Sequence, residues 1–254
     1  MECGVKCDST LGYRANMGAA EFKCIVQSFR MLTPTVFELT FETETPLQFA
    51  AGQFISVVVP GAGPNGRDLR RAYSIASAPE IRPVELCIKL VEEGPGSQYL
   101  AALKLPGSTF RGFAPYGDFV YKHKLGRHAL FIATGTGIAP FRAMVLSKAF
   151  QAAPPASSTC LLGVRSENEL LYHDEMSQVP DLRWIPMVSQ PGEQWNGFKG
   201  RVTHYLQSLG PEFPWRETEY YLCGNGAMIK EVKEFLLHQK GVVKESIHQE
   251  IYYK

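Results

Sequence analysis

Four short stretches combine residue types that can do chemistry. ATGTGIAP sets Gly135 and Gly137 among the hydroxyls of Thr134 and Thr136. Glycines there let a ligand approach the backbone closely, and a helix that follows offers free N–H groups and a positive dipole end to an anion. The loop is not GxGxxG, so on its own it is equally a piece of tight geometry. LCGNGAMI places Cys223, Gly224 and Gly226 at what reads as the end of a strand. In isolation that is a buried thiol and a turn. RAYSIAS puts Arg71 and Tyr73 on one face of a strand and Ser74 on the other. A cation beside an aromatic suits a ligand that joins a phosphate to a planar ring; an edge strand with a solvated arginine is the plain alternative. The chain ends in HQEIYYK, where Glu250 precedes Ile251, Tyr252 and Tyr253. Domain termini usually fray, so this ending is either the last strand of a core or a ring delivered to a site.

The elements that position these residues fall into two grammars. From about residue 21 to 121, FKCIVQSF, TVFELTFET, QFISVVVP, RAYSIAS and VELCIKLV are short β-rich runs separated by Gly and Pro. Such spacing predicts an antiparallel sandwich or barrel. After Leu125, strand-like and helix-like runs alternate: ALFIAT, FRAMVLSKAFQAA, TCLLGV, NELLYHDEMSQ, LRWIPMV, RVTHYLQSL, YYLCG and AMIKEVKEFLLHQ. That alternation predicts a parallel sheet with helices on both faces. The expected organisation is a flexible leader at 1–20, a barrel domain at 21–124 and an α/β domain at 125–254. Within the α/β domain the two glycine loops reach the same sheet edge, beyond the carboxyl ends of the strands, where ligands bind in open sheets.

Bulk properties exclude several classes. With 254 residues, 45% of them hydrophobic and 20% charged, the chain has material for two ordinary cores and does not read as disordered. A net charge of +1 argues against nucleic-acid binding, which needs a basic face. No run has the length of a membrane span and the N-terminus lacks a signal-peptide layout, so a cytoplasmic protein is expected. Four of the six cysteines, Cys24, Cys87, Cys160 and Cys223, are scattered and suit reduced, buried thiols. Cys3 and Cys7 form a pair with no second pair to complete a tetrahedral site, so no metal is expected.

RAYSIAS, ELCIK, GTGIAPFRAMV and LCGNGAMI occur in an order and spacing that resembles the ferredoxin–NADP reductase family, over roughly residues 21–254. GTGIAPFR is similar to that family's pyrophosphate loop and RxYS to its flavin signature. The resemblance implies an antiparallel β-barrel FAD-binding domain followed by an α/β parallel-sheet nucleotide-binding domain. In the first, Arg71 would pair with the FAD pyrophosphate, Ala72 and Tyr73 would lie along the isoalloxazine, and Ser74 would hydrogen-bond near flavin N5. Cys87, Ile88 and Lys89 match the strand lining the FAD; Gly96, Ser97 and Gln98 match the turn that cradles its phosphates. Thr136 would touch FAD and, with Thr134, Gly135 and Gly137, the NADP nucleotide, and Cys223 and Gly224 would sit beside the nicotinamide. Plant-type members end with a carboxylate two residues before a terminal aromatic that stacks on the flavin, which Glu250 and Tyr252 match. This chain continues with Tyr253 and Lys254, so either tyrosine fits; alternation sends them to opposite faces, and Tyr252 is the expected ring. Ser74, Cys223, Glu250 and Tyr252 are thus the expected catalytic group.

The implied reaction is hydride transfer between NADPH and flavin N5, coupled to a one-electron carrier of ferredoxin or flavodoxin type, by a monomer. Arg165 and Arg201, with Lys199 nearby, supply cations for a 2′-phosphate, and no acid replaces Arg165 after the second strand. Gln190 stands where many NADP-specific relatives carry arginine, which favours the alternative, an NADH-dependent reductase feeding an oxygenase. A non-catalytic flavin and nucleotide sensor would not need the serine, cysteine and terminal Glu-x-Tyr constellation. Arg67, Arg70, Lys122, Lys124 and Arg127 are candidates for a basic surface facing an acidic carrier.

Overall fold

The computed structural model describes residues 18–253, so Cys3, Cys7 and most of the segment read as a leader lie outside the described residues. Six strands build the first unit: β1 (Ala20–Thr33), β2 (Val36–Thr43), β3 (Phe54–Val59), β4 (Leu69–Ser74), β5 (Val84–Lys89) and β6 (Thr109–Tyr116), with helix α1 (Pro95–Ala102) after β5. They pair antiparallel in the order β4-β3-β6-β1-β2-β5. The two edges, β4 and β5, then meet: Ile75 bridges Leu86, and the Ala76 N–H donates to the Glu85 carbonyl at 2.8 Å. The sheet therefore closes into a barrel, which removes its free edges. Phe37, Leu39, Phe41, Ile55, Ile75, Leu86 and Phe110 fill it.

The second unit alternates as the sequence predicts. β7 (His128–Thr134) leads to α2 (Ile138–Leu146) and α3 (Lys148–Ala152), then β8 (Ser158–Val164), α4 (His173–Ser177), β9 (Leu182–Val188), the short β10 (Phe198–Lys199), α5 (Val202–Ser208), β11 (Thr218–Asn225), α6 (Gly226–Gln239) and β12 (Ile247–Tyr253). All six strands are parallel, in the order β10-β9-β8-β7-β11-β12. The chain winds outward from β7 to β10 and then returns to the other side of β7. The carboxyl ends of β7 and β11 flank that reversal, where a crevice forms.

Two helices expected from the sequence are interrupted. FRAMVLSKAFQAA breaks at Ser147, whose hydroxyl donates to the Met144 carbonyl and accepts from the Phe150 N–H, ending α2 and capping α3. NELLYHDEMSQ is not one helix. A 3-10 turn at Glu167–Glu169 gives way to extended backbone at Leu170, Leu171 is buried, and Tyr172 takes a left-handed conformation (φ 53°, ψ 27°) before α4 begins. Burial of Leu171 and side-chain contacts of Glu169 and Tyr172 outweigh helix propensity there.

The two units share an apolar seam. Val36, Ala76 and Cys87 of the barrel pack in one cluster with Phe131, Ile138, Phe141 and Met144. Gly52 (φ +101°) lies so close to the Phe119 carbonyl and the Met144 methyl that no side chain fits. The linker between the units is also tied down. Glu219, 2% exposed at the start of β11, accepts from Lys124 Nζ (2.8 Å), Arg127 Nε (3.1 Å) and Ser246 Oγ (3.1 Å), with His248 Nε2 at 3.0 Å. Lys124 and Arg127, considered above for a carrier-facing surface, are therefore spent on an internal carboxylate.

Desolvation pushes the Glu219 carboxyl up, but hydrogen bonds from Lys124, His248 and Ser246 outweigh it and hold its pKa below the ordinary value. Burial pushes the His248 imidazole down, and Glu219 offsets this only in part. Both depressed groups contribute stability that is present above their unfolded pKa values and lost as the pH falls through their folded ones. Glu219→Gln is expected to cost about 2 kcal/mol, less than a fully sealed pair because Lys124 is 44% exposed and can return to water. Thermal melting across pH 4–8 checks this: the midpoint drops by roughly 4–8 °C at pH 7, and the loss shrinks toward acid.

Candidate functional site

A cleft of 870 Å³ runs along the barrel mouth, bounded by β4, β5, α1 and the end of β12. β4 contributes Arg71, Ala72, Tyr73 and Ser74, and β5 contributes Cys87, Ile88 and Lys89. Gly96 carries Arg71 and Tyr73 against α1: a Cβ there would lie 2.9 Å from Arg71 Cγ and closer still to the Tyr73 hydroxyl. The N-terminal turn of α1, the exposed Arg71 and the aromatic Tyr73 thus stand together. Burial, opposed by Arg71, pushes the Tyr73 phenol up to about 12, so it remains a neutral donor. An anion site joined to an aromatic and aliphatic wall in one elongated cleft fits a flavin dinucleotide.

Ser97 borders the cleft, and both Ser97 and Gln98 brace the turn that leads into α1. The Ser97 hydroxyl accepts from the Val91 N–H at 3.0 Å and donates back within the same turn, to the Gly94 carbonyl at 3.1 Å. Gln98 does not border the cleft, because its amide donates to the carbonyls of Val91 and Glu92 at 3.0 and 3.1 Å. Both shape residues 91–94, of which Val91 and Gly94 border the cleft.

At the inner end of the cleft the two units meet. Ser74 Oγ of the barrel donates to Glu250 Oε1 of β12 at 2.7 Å. Parallel pairing of β11 with β12 sets Glu250 directly beside Cys223. Burial, the Ser74 hydrogen bond acting against it, and Asp118 together leave the Glu250 carboxyl above its ordinary value. Burial, with Glu250 adding to it, raises the Cys223 thiol well above its usual range, so it is neutral and no nucleophile.

The pairing register skips one residue here. Ile251 pairs with Gly224 and Tyr253 with Asn225, leaving Tyr252 unopposed in a bulge. Simple alternation, used above to send the two tyrosines to opposite faces, does not apply across a bulge, which re-aims the residue it frees. Tyr252 borders the cleft, packs on the cluster that contains Cys223, and buries its hydroxyl without a hydrogen-bond partner. Cys223 itself is fully covered.

A second cleft of 560 Å³ opens over the carboxyl ends of the parallel strands. Thr134 ends β7 and Gly135 and Thr136 follow it, Arg165 follows β8, Ser189 follows β9, and Arg201 and Thr203 open α5. Lys89 and Thr136 border both clefts, so the two adjoin. Gly137 and Gly224 border neither: a Cβ on Gly137 would strike the Cys223 carbonyl, and one on Gly224 (φ +125°) the Thr134 hydroxyl. They serve by letting the loops after β7 and β11 nest. Thr134 Oγ1 accepts the Asn225 N–H at 3.0 Å, and Asn225 in turn caps α6.

Two features of this cleft escape the sequence pattern. Glu169 and Glu231 join its lining, although the position after the second strand is Arg165 and not an acid; Glu169 Oε2 accepts the Arg165 N–H at 3.0 Å. Thr203, 5% exposed, has a hydroxyl without a partner, and only its place after KGRV at a helix start hints at it. Among the described residues, Thr203 Oγ1 and Tyr252 Oη are the buried side-chain oxygens lacking a hydrogen bond, and one borders each cleft.

Residues 23–121 match the family model for the oxidoreductase FAD-binding domain, and residues 131–234 that for the oxidoreductase NAD-binding domain. Ferredoxin–NADP reductase B of Sorangium cellulosum is 34% identical over 245 residues, which span 92% of this chain and 98% of that protein. The phenol hydroxylase P5 protein of Acinetobacter pittii is 29% identical over 239 residues, and the match covers 65% of its length. Among solved structures, a ferredoxin NADP+ reductase from Neisseria gonorrhoeae with bound FAD and NADP superposes with a TM-score of 0.76 at 21% identity, over 93% of this chain and all of that one. The Amycolatopsis cytochrome P450 reductase GcoB superposes at 0.79 with 24% identity, over 93% of this chain and 71% of its own. Those structural likenesses carry the two-unit fold, and the sequence identity over nearly the whole of the Sorangium protein carries more: the chain belongs to the ferredoxin–NADP reductase family, FAD-dependent oxidoreductases that move electrons between a nicotinamide nucleotide and an electron carrier.

Proposed function

We propose that this chain moves electrons between NADPH and a one-electron protein carrier of ferredoxin or flavodoxin type. The observation that carries this is the Ser74–Glu250 hydrogen bond, made at the inner end of the flavin cleft between barrel and parallel sheet, beside Tyr252, which packs on the cluster containing Cys223. FAD bound in the first cleft supplies an acceptor that takes electrons in pairs and releases them singly. The protein supplies placement, and alignment of reacting groups is worth about 7–11 kcal/mol of barrier.

Each residue has a separable task in this reading. Arg71 and the α1 N-terminus hold the dinucleotide phosphates, and Tyr73, Cys87 and Ile88 wall the ring system. Gly135 and Thr136, with the start of the helix beyond them, receive the nucleotide phosphates. Arg165 and Arg201 meet the 2′-phosphate, the group that separates NADPH from NADH. Ser74 donates to Glu250 and fixes its carboxyl, which holds a proton to higher pH than an ordinary glutamate and is placed to pass it on. Tyr252 excludes water from Cys223 and occupies the room the nicotinamide needs, so it moves aside during turnover. Buried Cys24, Cys87, Cys160 and Cys223, all free, suit a reducing compartment, and we place the protein in the cytoplasm. No helix among the described residues is long and apolar enough to cross a membrane.

A second reading rests on Gln190, Glu169 and Glu231. Gln190 donates its N–H to the Arg165 carbonyl at 2.8 Å, and the two acids lower the positive charge of the cleft. These features suit NADH, as in a reductase that feeds an oxygenase. Anaerobic mixing with each nucleotide tests the function: NADPH bleaches the flavin absorbance and gives the higher kcat/KM. A preference for NADH moves the assignment to the second reading, and no bleaching with either nucleotide removes both.

Two substitutions follow from the inner site. Glu250→Gln is expected to slow flavin reduction by roughly 10²-fold while flavin content stays the same. In the parent the rate changes with pH above the ordinary glutamate value of 4.5, because the carboxyl is raised, and the glutamine variant is flat over that interval. Tyr252→Ser uncovers Cys223 and admits nicotinamide too easily, so the ratio of kcat/KM for the two nucleotides falls about tenfold, roughly 1.4 kcal/mol. An unchanged ratio assigns the stacking task elsewhere.

A further inference from the structure

Arg142 sits on α2, the helix that begins directly after the glycine loop of the nucleotide cleft, and is 6% exposed. Its guanidinium makes a two-pronged contact with Glu175 of α4, with Nη2 donating to Oε1 at 3.0 Å and Nε to the other oxygen. Nη1 crosses to the barrel, donating to the Ala76 carbonyl at 2.9 Å and to Glu85. Ala76 and Glu85 are the residues that close the barrel, two positions after Ser74 and two before Cys87. An arginine with every prong engaged is a rigid fork.

The carbon of that guanidinium lies over the Tyr172 ring, 4.4 Å from its centre. Tyr172 holds the left-handed backbone noted above, which a bulky residue adopts at an energetic cost and only where its surroundings over-determine it. Its hydroxyl donates to Glu38 Oε2 at 3.0 Å. Glu38 is 6% exposed and pairs across β2–β5 with Cys87, which borders the flavin cleft. Both side chains therefore reach from the nucleotide unit to barrel residues that stand next to the wall of the flavin cleft.

We propose that Arg142 and Tyr172 are positioning residues, a lock that sets the nucleotide unit at one distance from the flavin cleft and so keeps Ser74 and Glu250 in register. The lock rests on the functional reading given above and adds to it the device that holds the two clefts in apposition. A cluster serving only to cement the units has no need of a strained tyrosine; apolar packing across the seam already does that. Fork and ring engage the same stretch of barrel from two directions, as fixing an orientation requires.

The test uses FAD-loaded protein with Tyr172→Phe, which keeps the ring and loses the Glu38 bond, and Arg142→Lys, which keeps the charge and loses the fork. Flavin content, nucleotide affinity, the reduction rate constant at saturating nucleotide and the rate of Cys223 alkylation are measured, the last also after flavin is stripped. Expected are a reduction rate constant about tenfold lower, unchanged flavin content and nucleotide affinity, and Cys223 alkylation about tenfold faster with or without flavin. A lower melting temperature with rate constant and alkylation unchanged overturns the lock and leaves cement. A rate that falls only in proportion to lost flavin overturns it as well. Parent protein that neither nucleotide reduces would instead overturn the functional reading, and the lock with it.

Discussion

The hydrogen bond between Ser74 and Glu250 joins residues 176 positions apart at 2.7 Å, and the architecture can be derived from what that bond demands. A carboxylate taken out of water needs a partner or a proton. Glu250 sits on the last strand of a parallel sheet, so its partner has to come from another element. That element is the closing strand of the barrel, and β4 can present Ser74 only because the sheet curls until Ile75 reaches Leu86. On the other side, β12 lies where Glu250 is needed because it pairs in parallel with β11, itself paired to β7. Barrel closure and the reversal of strand order are thus two halves of one positioning problem.

Much of this was legible in the amino-acid order because it depends on local period. Short alternating strands divided by Gly and Pro announce a barrel, and continuous apolar strands such as HALFIAT announce a buried parallel sheet. RAYSIAS could be placed in a strand and ATGTGIAP at a strand end, which is where they lie, and the grouping of Ser74, Cys223, Glu250 and Tyr252 followed from the resemblance. What escaped depends on contacts remote in sequence. NELLYHDEMSQ has helical spacing, yet Glu38, 134 residues away, draws Tyr172 out of it. Thr134 and Gln98 carry donors and acceptors suited to phosphate, but their side chains are consumed by Asn225 and by the Val91 turn. Arg142 stands inside the quoted glycine motif, and no periodicity says that its charge is aimed at the other unit. The bulge at Tyr252 is a matter of pairing register, which strand propensity does not encode.

Two glutamates on neighbouring strands show how the same side chain is given opposite character. Glu219, near the start of β11, is fully desolvated, but a lysine, an arginine, a histidine and a serine converge on it and keep it ionised. Glu250, near the end of β12, has a serine hydroxyl and, beside it, a neutral thiol, with no cation in hydrogen-bond contact among the described residues. Its carboxyl therefore holds its proton more tightly than usual. The stability terms have opposite signs: the first is lost as pH falls, whereas a raised carboxyl contributes below its unfolded value and loses that contribution as pH rises through its folded one. Each sign suits its location. Next to the linker an ionised carboxylate collects Lys124 and Arg127 and fastens that linker to the parallel sheet. At the inner end of the flavin cleft, burial and Asp118 outweigh the Ser74 hydrogen bond, so the carboxyl keeps its proton to higher pH than an ordinary glutamate. The parallel strand pair β11–β12 thus carries an ionised carboxylate at one end and a proton-retaining carboxyl at the other, and the difference is made by which neighbours the fold supplies.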